Sequence, residues 1–258
     1  MAYRKMANWT REQTIIALGV YCKIPFNKAS NTNPEIVEAA KLIGRSPAAV
    51  KMKVGNFGSF DPELRKRGIV GLSNASKIDE DVWNEYCDDW ERLAYDCKII
   101  KAKLEHKSII EEVGADLSVL SDETERDKVV RQRINQSFFR SVVLSSYNNR
   151  CCITGLSCVE LLEACHIVDW SSDKKNRLNP SNGICLNLLF HRAYDKHYIG
   201  ISPDYIIHIS ERLLDNGGDN TDLVKLFKKY HKTTILLPDR FLPDRELLSL
   251  HYEDFKRM

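Results

Sequence analysis

The chain has 258 residues and a formal net charge of +2, with apolar residues forming 43% and charged residues 29% of the sequence. A chain of this size and composition can bury a sizeable core and has room for one or two domains. It contains no run of about 18 apolar residues, and its opening residues, MAYRKMANWT, lack the basic and then apolar order of a secretory leader. We therefore expect neither a membrane span nor a signal peptide.

Eight cysteines occur in the chain without any CxxC spacing. In a sequence without a predicted secretory leader, this pattern favours reduced thiols and a cytoplasmic location. Because paired CxxC knuckles are usual for structural zinc, we do not expect a structural zinc site. The cysteines are Cys22, Cys87, Cys97, Cys151, Cys152, Cys158, Cys165 and Cys185.

The first 97 residues are predicted to form a helical domain. Asn33 and Pro34 open a helix that ends at Gly44, and Ser46 and Pro47 open the next one, since Asn and Ser cap helices well and Pro favours the first helical position. Two helices joined by a glycine-containing turn of about three residues are typical of a helix-turn-helix.

The segment 41–67 is basic, with seven Lys or Arg residues against two acidic ones, as expected of a face that contacts phosphates. On the second helix of the predicted pair, Lys51 and Lys53 are expected to point outward beside Arg45 and to contact a DNA groove or its edges. The alternative is an ordinary helical hairpin with a solvated basic face.

A further helix is predicted at 79–96, where aromatic residues recur at helical spacing and are expected in a core. Residues 98–126 show no clear period and are predicted to connect two domains. A long helix, 127–147, then leads into the second domain, 127–258, whose C-terminal part is expected to pack back on it. Three arginines on this helix are candidates for phosphate contact or for simple solvation: Arg131, Arg133 and Arg140.

The second domain contains polar residues at the ends of predicted strands. His166 ends an apolar run, 161–167, which is predicted to be a strand. A polar loop, 169–180, comes next, followed by Asn182 and a second strand, 183–186. Basic residues of the loop are further candidates for DNA contact: Lys174, Lys175 and Arg177.

A helix is predicted to follow the second strand. It carries His191 and Asp195, which lie four residues apart and therefore on the same helical face. A histidine and a carboxylate so placed can share a divalent cation, or the carboxylate can support the histidine through a hydrogen bond. Glu163 lies on the same side of the first strand as Cys165, and it is a further candidate ligand.

The order of these residues resembles the HNH endonuclease family. The motifs on which the resemblance rests are Cys151-x-Ile153-Thr154-Gly155, Glu163-x-x-His166-Ile167, Asn182-Gly183 and His191-x-x-x-Asp195. The resemblance is strong over 131–210 and implies a ββα-metal nuclease core. The N-terminal region is also similar to the small trihelical domain that precedes the nuclease in bacterial HNH proteins. We therefore predict an α+β protein, with a helix-turn-helix-like N-terminal domain followed by the nuclease domain.

The resemblance implies a role for each polar residue. His166 is the general base, a task that suits imidazole because its pKa lies near working pH. Asn182 orients the loop, and His191 binds Mg²⁺ or Mn²⁺, with Asp195 as a weaker ligand or a support. Many family members carry an acidic ligand directly before the catalytic histidine, whereas this chain has Cys165. Glu163 is the candidate to replace that ligand.

The function predicted from the sequence is a divalent-metal-dependent DNA endonuclease of restriction or phage defence. Cutting both strands requires two active sites, which a homodimer supplies. Two alternatives stay open. Cys165 in place of an acidic ligand is compatible with a DNA-binding regulator whose HNH unit is inactive, and the core also suits a nuclease for RNA or single strands.

Overall fold

The computed structural model describes residues 8–114, 122–170, 173, 175–216 and 222–258. The chain divides into two compact units, 1–138 and 139–258, here called unit 1 and unit 2. Unit 1 is helical in its described part, and unit 2 combines helices with two small antiparallel sheets. The α+β class is therefore as predicted. Among the described residues, no helix is long and apolar enough to cross a membrane.

Polar caps start the helices of unit 1. The Thr10 hydroxyl accepts a hydrogen bond from the Gln13 amide at 3.2 Å, and the Gln13 side chain accepts one from the Thr10 amide. Asn33 and Ser46 cap the next two helices, each of which begins with proline. The helices are α1 (Arg11–Lys23), α2 (Pro34–Leu42), α3 (Pro47–Phe57), α4 (Pro62–Lys66), α5 (Lys77–Tyr86), α6 (Trp90–Leu104), α7 (Ile109–Val113) and α8 (Glu123–Ser146).

The pair α2 and α3 forms at the place where the sequence predicts it. The two helices pack against each other and against α1, through buried residues that include Ile36, Val50 and Val54. Gly44 adopts a left-handed φ of +66°, which ends α2 and lets the chain reverse within a few residues. A role of this pair in recognising DNA stays a prediction.

Lys53 lies in the core of unit 1 and does not point outward as predicted. Only 3% of its side chain is exposed, and its ammonium group pairs with the fully buried Asp79 carboxylate. Its Nζ atom also lies 4.6 Å from the centre of the Trp9 ring. Residues two apart lie on nearly opposite faces of a helix, so Lys53 faces inward where Lys51 is exposed. There it supplies the counter-charge that the buried Asp79 carboxylate needs.

The single helix expected at 79–96 is two helices, α5 and α6. Asp89 stands between them, and its carboxylate accepts a hydrogen bond from the Arg92 amide at 3.0 Å. A capping aspartate competes for backbone groups and so starts a new helix. The expected connection at 98–126 is also partly helical: α6 continues to Leu104, and Lys98 pairs with Glu112 of α7 at 2.9 Å. The division between the units lies within α8.

Unit 2 is built on a strand, a loop, a second strand and a helix. Strand β1 (Leu162–His166) pairs antiparallel with β2 (Gly183–Asn187), and α9 (Leu188–Asp195) follows β2 directly. A second pair, β3 (Ile199–Ile201) and β4 (Ile207–Ile209), comes next. The helices that complete the unit are α10 (Glu211–Asn216), α11 (Asp222–Tyr230) and α12 (Arg245–Arg257).

Gly183 lets the end of α8 approach β2 closely. A Cβ atom at this position would lie 2.4 Å from Val143 Cγ2 and 2.9 Å from the Phe139 ring. These distances are too short for any larger residue unless the helix moves away. Since Gly183 pairs with His166 in the sheet, the same approach brings Phe139 to the end of β1.

Candidate active site

His166 is the last residue of β1, and its ring is held between two aromatic side chains. The ring stacks on Phe139 with centroids 3.9 Å apart and an angle of 4° between the planes. Trp170 meets the ring edge-on, with centroids 5.6 Å apart. The Nε2 atom lies 2.9 Å from the Arg177 carbonyl oxygen. A carbonyl only accepts, so Nε2 carries the proton and Nδ1 keeps its lone pair.

The environment of His166 keeps the imidazole neutral. Burial of the ring lowers the pKa of His166 below its ordinary value, and the hydrogen bond to the Arg177 carbonyl opposes that shift only in part. A neutral ring with an available Nδ1 lone pair is the form that accepts a proton. The geometry is therefore that of a base at the end of a strand.

Asn182 is fully buried and ties the loop to the strand. Its side-chain oxygen accepts from the Val168 amide at 2.9 Å, and its side-chain nitrogen donates to the carbonyl oxygens of Val168 and Asn176, each at 3.1 Å. The Asn182 carbonyl also accepts from the Ile167 amide at 2.9 Å. These bonds hold the chain on either side of the loop that contributes the Arg177 carbonyl.

Helix α9 carries two polar side chains toward β1. Asn187 caps the helix by accepting from the Phe190 amide at 3.0 Å. One turn later, His191 Nδ1 is bonded to the Glu163 carboxylate, and His191 Nε2 lies 3.5 Å from Asp195 Oδ2. The imidazole is thus held between two carboxylates, one from the strand and one from its own helix.

Cys165, His191 and Asp195 form a possible metal-binding triad. The Cys165 thiol donates to Asp195 Oδ1 at 3.7 Å, and one donor atom of each residue lies within 4.8 Å of the others. Burial raises the pKa of Cys165 well above its ordinary value, with Asp195 adding to the effect. The side chains of His191 and Asp195 are 23% and 39% exposed, so solvent reaches the group.

The structure separates the three predicted metal ligands. His191 and Asp195 belong to the triad, whereas the Glu163 carboxylate lies on Nδ1 of His191, the nitrogen that is not nearest Asp195. Cys165 was not predicted as a ligand, although alternation along a strand places it on the same face as Glu163. Its position directly before His166 was the available indication.

The residues predicted to contact DNA differ in their surroundings. In unit 1, Lys51 is exposed, while the Arg45 guanidinium bonds to Gln13 at 2.9 Å and to the Asn8 carbonyl at 2.7 Å. The Arg131 guanidinium lies 4.1 Å from the centre of the Tyr95 ring. Arg133 is exposed and donates to the Gly114 carbonyl at 3.4 Å.

In unit 2, Arg140 and Lys175 are exposed. Arg177 is half-buried, since its Nε donates to the Trp170 carbonyl at 2.7 Å and its guanidinium lies 5.3 Å from the Trp170 ring centre. Lys174 lies outside the described residues. Sequence analysis did not single out Phe139 and Trp170 as neighbours of the candidate base. Their roles depend on a close helix approach and a loop path that no local pattern encodes.

Comparison with known proteins finds a match to one family model in unit 2. Residues 151–202 match the family model described as HNH endonuclease. The matched segment contains His166, Asn182, His191 and Asp195, together with both strands of the first sheet. No curated protein sequence matches the chain.

Proposed function

From the HNH endonuclease domain at residues 151–202, we propose that the chain is a divalent-metal-dependent endonuclease that hydrolyses DNA phosphodiester bonds. The observation that carries the proposal is the pairing of a neutral His166, with its Nδ1 lone pair available, and a cluster of metal-binding donors on the adjacent strand and helix. Phosphodiester hydrolysis needs a base for the attacking water and a cation for the charge on phosphate.

His166 is the general base in this proposal. Its Nδ1 takes a proton from the attacking water, while the bond from Nε2 to the Arg177 carbonyl keeps the ring from rotating. Stacking on Phe139 holds the plane of the ring. Asn182 acts through the loop, since its hydrogen bonds hold the segment that carries Arg177.

His191 and Asp195 are the residues that would hold Mg²⁺ or Mn²⁺. The Glu163 carboxylate fixes the orientation of the His191 ring through Nδ1, which leaves Nε2 to face Asp195. When bound, the cation stabilises the negative charge on the scissile phosphate and on the leaving oxygen. Imidazole and carboxylate are both ordinary ligands for a catalytic divalent ion.

Basic side chains support DNA as the substrate. In unit 2, Arg140 and Lys175 are exposed, and a long anionic polymer binds chiefly through its phosphates. In unit 1, the helices α2 and α3 are the proposed helix-turn-helix-like recognition element. Its candidate contacts, together with those at the start of α8, are Arg45, Lys51, Arg131 and Arg133.

The biological role follows from resemblance to bacterial HNH proteins in which a helical domain precedes the nuclease. We propose restriction or phage defence, with cleavage of both strands by a homodimer that supplies two active sites. DNA binding alone requires neither a general base nor a cluster of metal-binding donors. Their presence together favours the nuclease over a regulator with an inactive HNH unit.

The test is a cleavage assay with the purified full chain. Supercoiled plasmid, single-stranded DNA and RNA are each incubated with Mg²⁺, Mn²⁺, Co²⁺ or Zn²⁺, and with a chelator. We expect nicking or linearisation of the plasmid with metal, loss of activity with chelator, and recovery when metal is restored. Binding of DNA without cleavage under any divalent ion would overturn the nuclease and favour the regulator. Cleavage of RNA alone would overturn the DNA assignment.

A further inference from the structure

Cys165 is a buried residue whose thiol belongs to the donor cluster, and packing in the core does not require that position. Its residue is fully buried on β1, yet its Sγ lies 3.7 Å from Asp195 Oδ1, at the solvent-accessible end of α9. The neighbouring buried thiol of Cys185, on β2 opposite Ala164, is outside the cluster. Cys165 is therefore distinguished from Cys185 by the carboxylate and the imidazole beside it.

We propose that Cys165 is a thiolate ligand of the metal and that the centre takes Zn²⁺ or Co²⁺ in preference to Mg²⁺. The proposal rests on the proposed function, because it concerns the metal of the same site. It gives the centre one sulfur, one nitrogen and one oxygen donor, from Cys165, His191 and Asp195. A fourth position stays available for water or a phosphate oxygen.

The spacing of the three donors suits a small four-coordinate ion. Metal–ligand bonds of about 2.0 to 2.3 Å place tetrahedral donors about 3.5 Å from one another. Cys165 Sγ lies 3.7 Å from Asp195 Oδ1, and His191 Nε2 lies 3.5 Å from the other oxygen, Oδ2. One donor atom of each of the three residues lies within 4.8 Å of the others. The side chains of His191 and Asp195, which are 23% and 39% exposed, would adjust to close the site around an ion.

The chemistry of the donors decides against Mg²⁺ as the preferred ion. Mg²⁺ takes oxygen ligands in a near-octahedral arrangement, and the triad offers a single carboxylate. A thiolate beside an imidazole instead favours Zn²⁺ and Co²⁺, which bind sulfur and nitrogen well. Glu163 does not change this balance, because its carboxylate is bonded to His191 Nδ1 and orients the ring.

Cobalt absorption is the experiment that detects the sulfur ligand. Metal-free full-length protein is titrated with Co²⁺, all in a Cys158→Ser background, because the exposed Cys158 thiol is accessible to added Co²⁺. We expect a near-ultraviolet band from thiolate-to-cobalt charge transfer, together with visible bands of a four-coordinate ion. A roughly hundredfold excess of Mg²⁺ should leave both in place.

Variants assign the band to one sulfur. Cys165→Ser should lose the near-ultraviolet band and weaken Zn²⁺ binding at least about tenfold in a chelator competition, whereas Cys185→Ser should keep both. Cys165→Asp should lose the band but raise the affinity for Mg²⁺ and Mn²⁺, because it adds an oxygen ligand. Circular dichroism shows whether each variant is folded. If either Cys165→Ser or Cys165→Asp does not fold, loss of the band is tested with the other.

Three outcomes overturn the inference: no thiolate band in the Cys158→Ser protein, an unchanged band in Cys165→Ser, or displacement of Co²⁺ by Mg²⁺. Failure of the proposed function is a separate result. Plasmid cleavage with Mg²⁺ and no thiolate band would contradict the sulfur ligand and support the nuclease. A Cys165-dependent band in a protein that cleaves no nucleic acid would support the metal site and contradict the nuclease.

Discussion

Six of the seven histidines of the chain lie in unit 2, whereas unit 1 has only His106, which is exposed. Unit 1 instead has many pairs of opposite charge. Lys53 pairs with Asp79 in the core, the partly buried Lys98 pairs with Glu112 at 2.9 Å, and at the surface Lys103 pairs with Glu12 at 2.8 Å. In unit 2, polar groups gather at one end of a two-stranded sheet, where His191 and Asp195 face β1.

The comparison shows that the partner of a polar residue decides what the residue does. Lys53 has a buried carboxylate as its partner, so it maintains the fold and has no free surface for phosphate. His166 has a carbonyl on one nitrogen and a lone pair on the other, so it can exchange a proton. The sequence made Lys53 a candidate for DNA contact and His166 a candidate base. The structure gives Lys53 a partner that excludes its predicted role, whereas the surroundings of His166 are compatible with its role.

The largest expected effect concerns the base in unit 2. Replacing His166 with Ala should lower the single-turnover cleavage rate by about 10² to 10⁴, the usual contribution of a general base. DNA affinity, measured in Ca²⁺ or without metal, should change little because no phosphate contact is removed. His106→Ala is the matched control in unit 1. A variant at position 166 that keeps more than about a tenth of the rate would contradict the assignment.

In unit 1, the corresponding large effect is on stability. Lys53→Met leaves the buried Asp79 carboxylate without its counter-charge, which should cost about 3 to 5 kcal/mol of the free energy of unfolding. Lys51→Met, at an exposed position of the same helix, should change it by less than about 0.5 kcal/mol. Urea unfolding followed by circular dichroism measures both. Equal stability of the two variants would contradict a stabilising role of the Lys53–Asp79 pair.

A smaller effect is expected from the residue that orients His191. Glu163→Gln removes the carboxylate from Nδ1 and should weaken metal binding by about 10- to 100-fold, as is typical for such supporting partners. Glu160→Gln, an exposed change in the same segment, should leave the affinity unchanged. Titration with Co²⁺ or Mn²⁺ gives the values. A complete loss of metal binding would instead make Glu163 a ligand, as the sequence first indicated.

The histidine-rich unit should also be sensitive to acid. Burial lowers the pKa of His251 from its ordinary value of 6.5 to about 4, so the folded state favours the neutral ring. The unfolded chain takes up the proton first, and stability that is complete above about pH 6.5 should fall as the pH drops toward 4, by about 2 kcal/mol at pH 5. His251→Gln should flatten the dependence of Tm on pH, and His106→Gln should not. Parallel profiles for wild type and His251→Gln would contradict this.

The smallest effects should come from single phosphate contacts. Removing one contact lowers the slope of log affinity against log salt by about 0.9. We expect this change for Lys51→Ala in unit 1 and for Lys175→Ala in unit 2, measured by fluorescence anisotropy at several salt concentrations. Glu160→Gln serves again as the control. An unchanged slope in Lys51→Ala would remove Lys51 from the phosphate contacts.

Much of the local structure was predictable because its causes lie within a few residues of one another. Asn33, Pro34, Gly44 and Ser46 bound α2 and α3 through capping and backbone preference, and the helices form there. The same holds for β1, β2 and α9, where a strand end, a polar loop and a helix follow directly in the chain. The order of His166, Asn182 and His191 was sufficient to indicate the HNH family, and the match to 151–202 confirms it.

Contacts between distant residues decided the rest. The burial of Lys53 depends on Asp79, which is 26 residues away, and the stacking of Phe139 on His166 depends on the close approach that Gly183 permits. Alternation along the strand placed Glu163 and Cys165 on the same face, and only Glu163 was predicted as a ligand. Only the packing of α9 on β1 sets the Glu163 carboxylate against one nitrogen of His191 and the Cys165 thiol against Asp195. Periodicity determines the face on which a side chain lies, but the partner it meets there depends on how the elements pack.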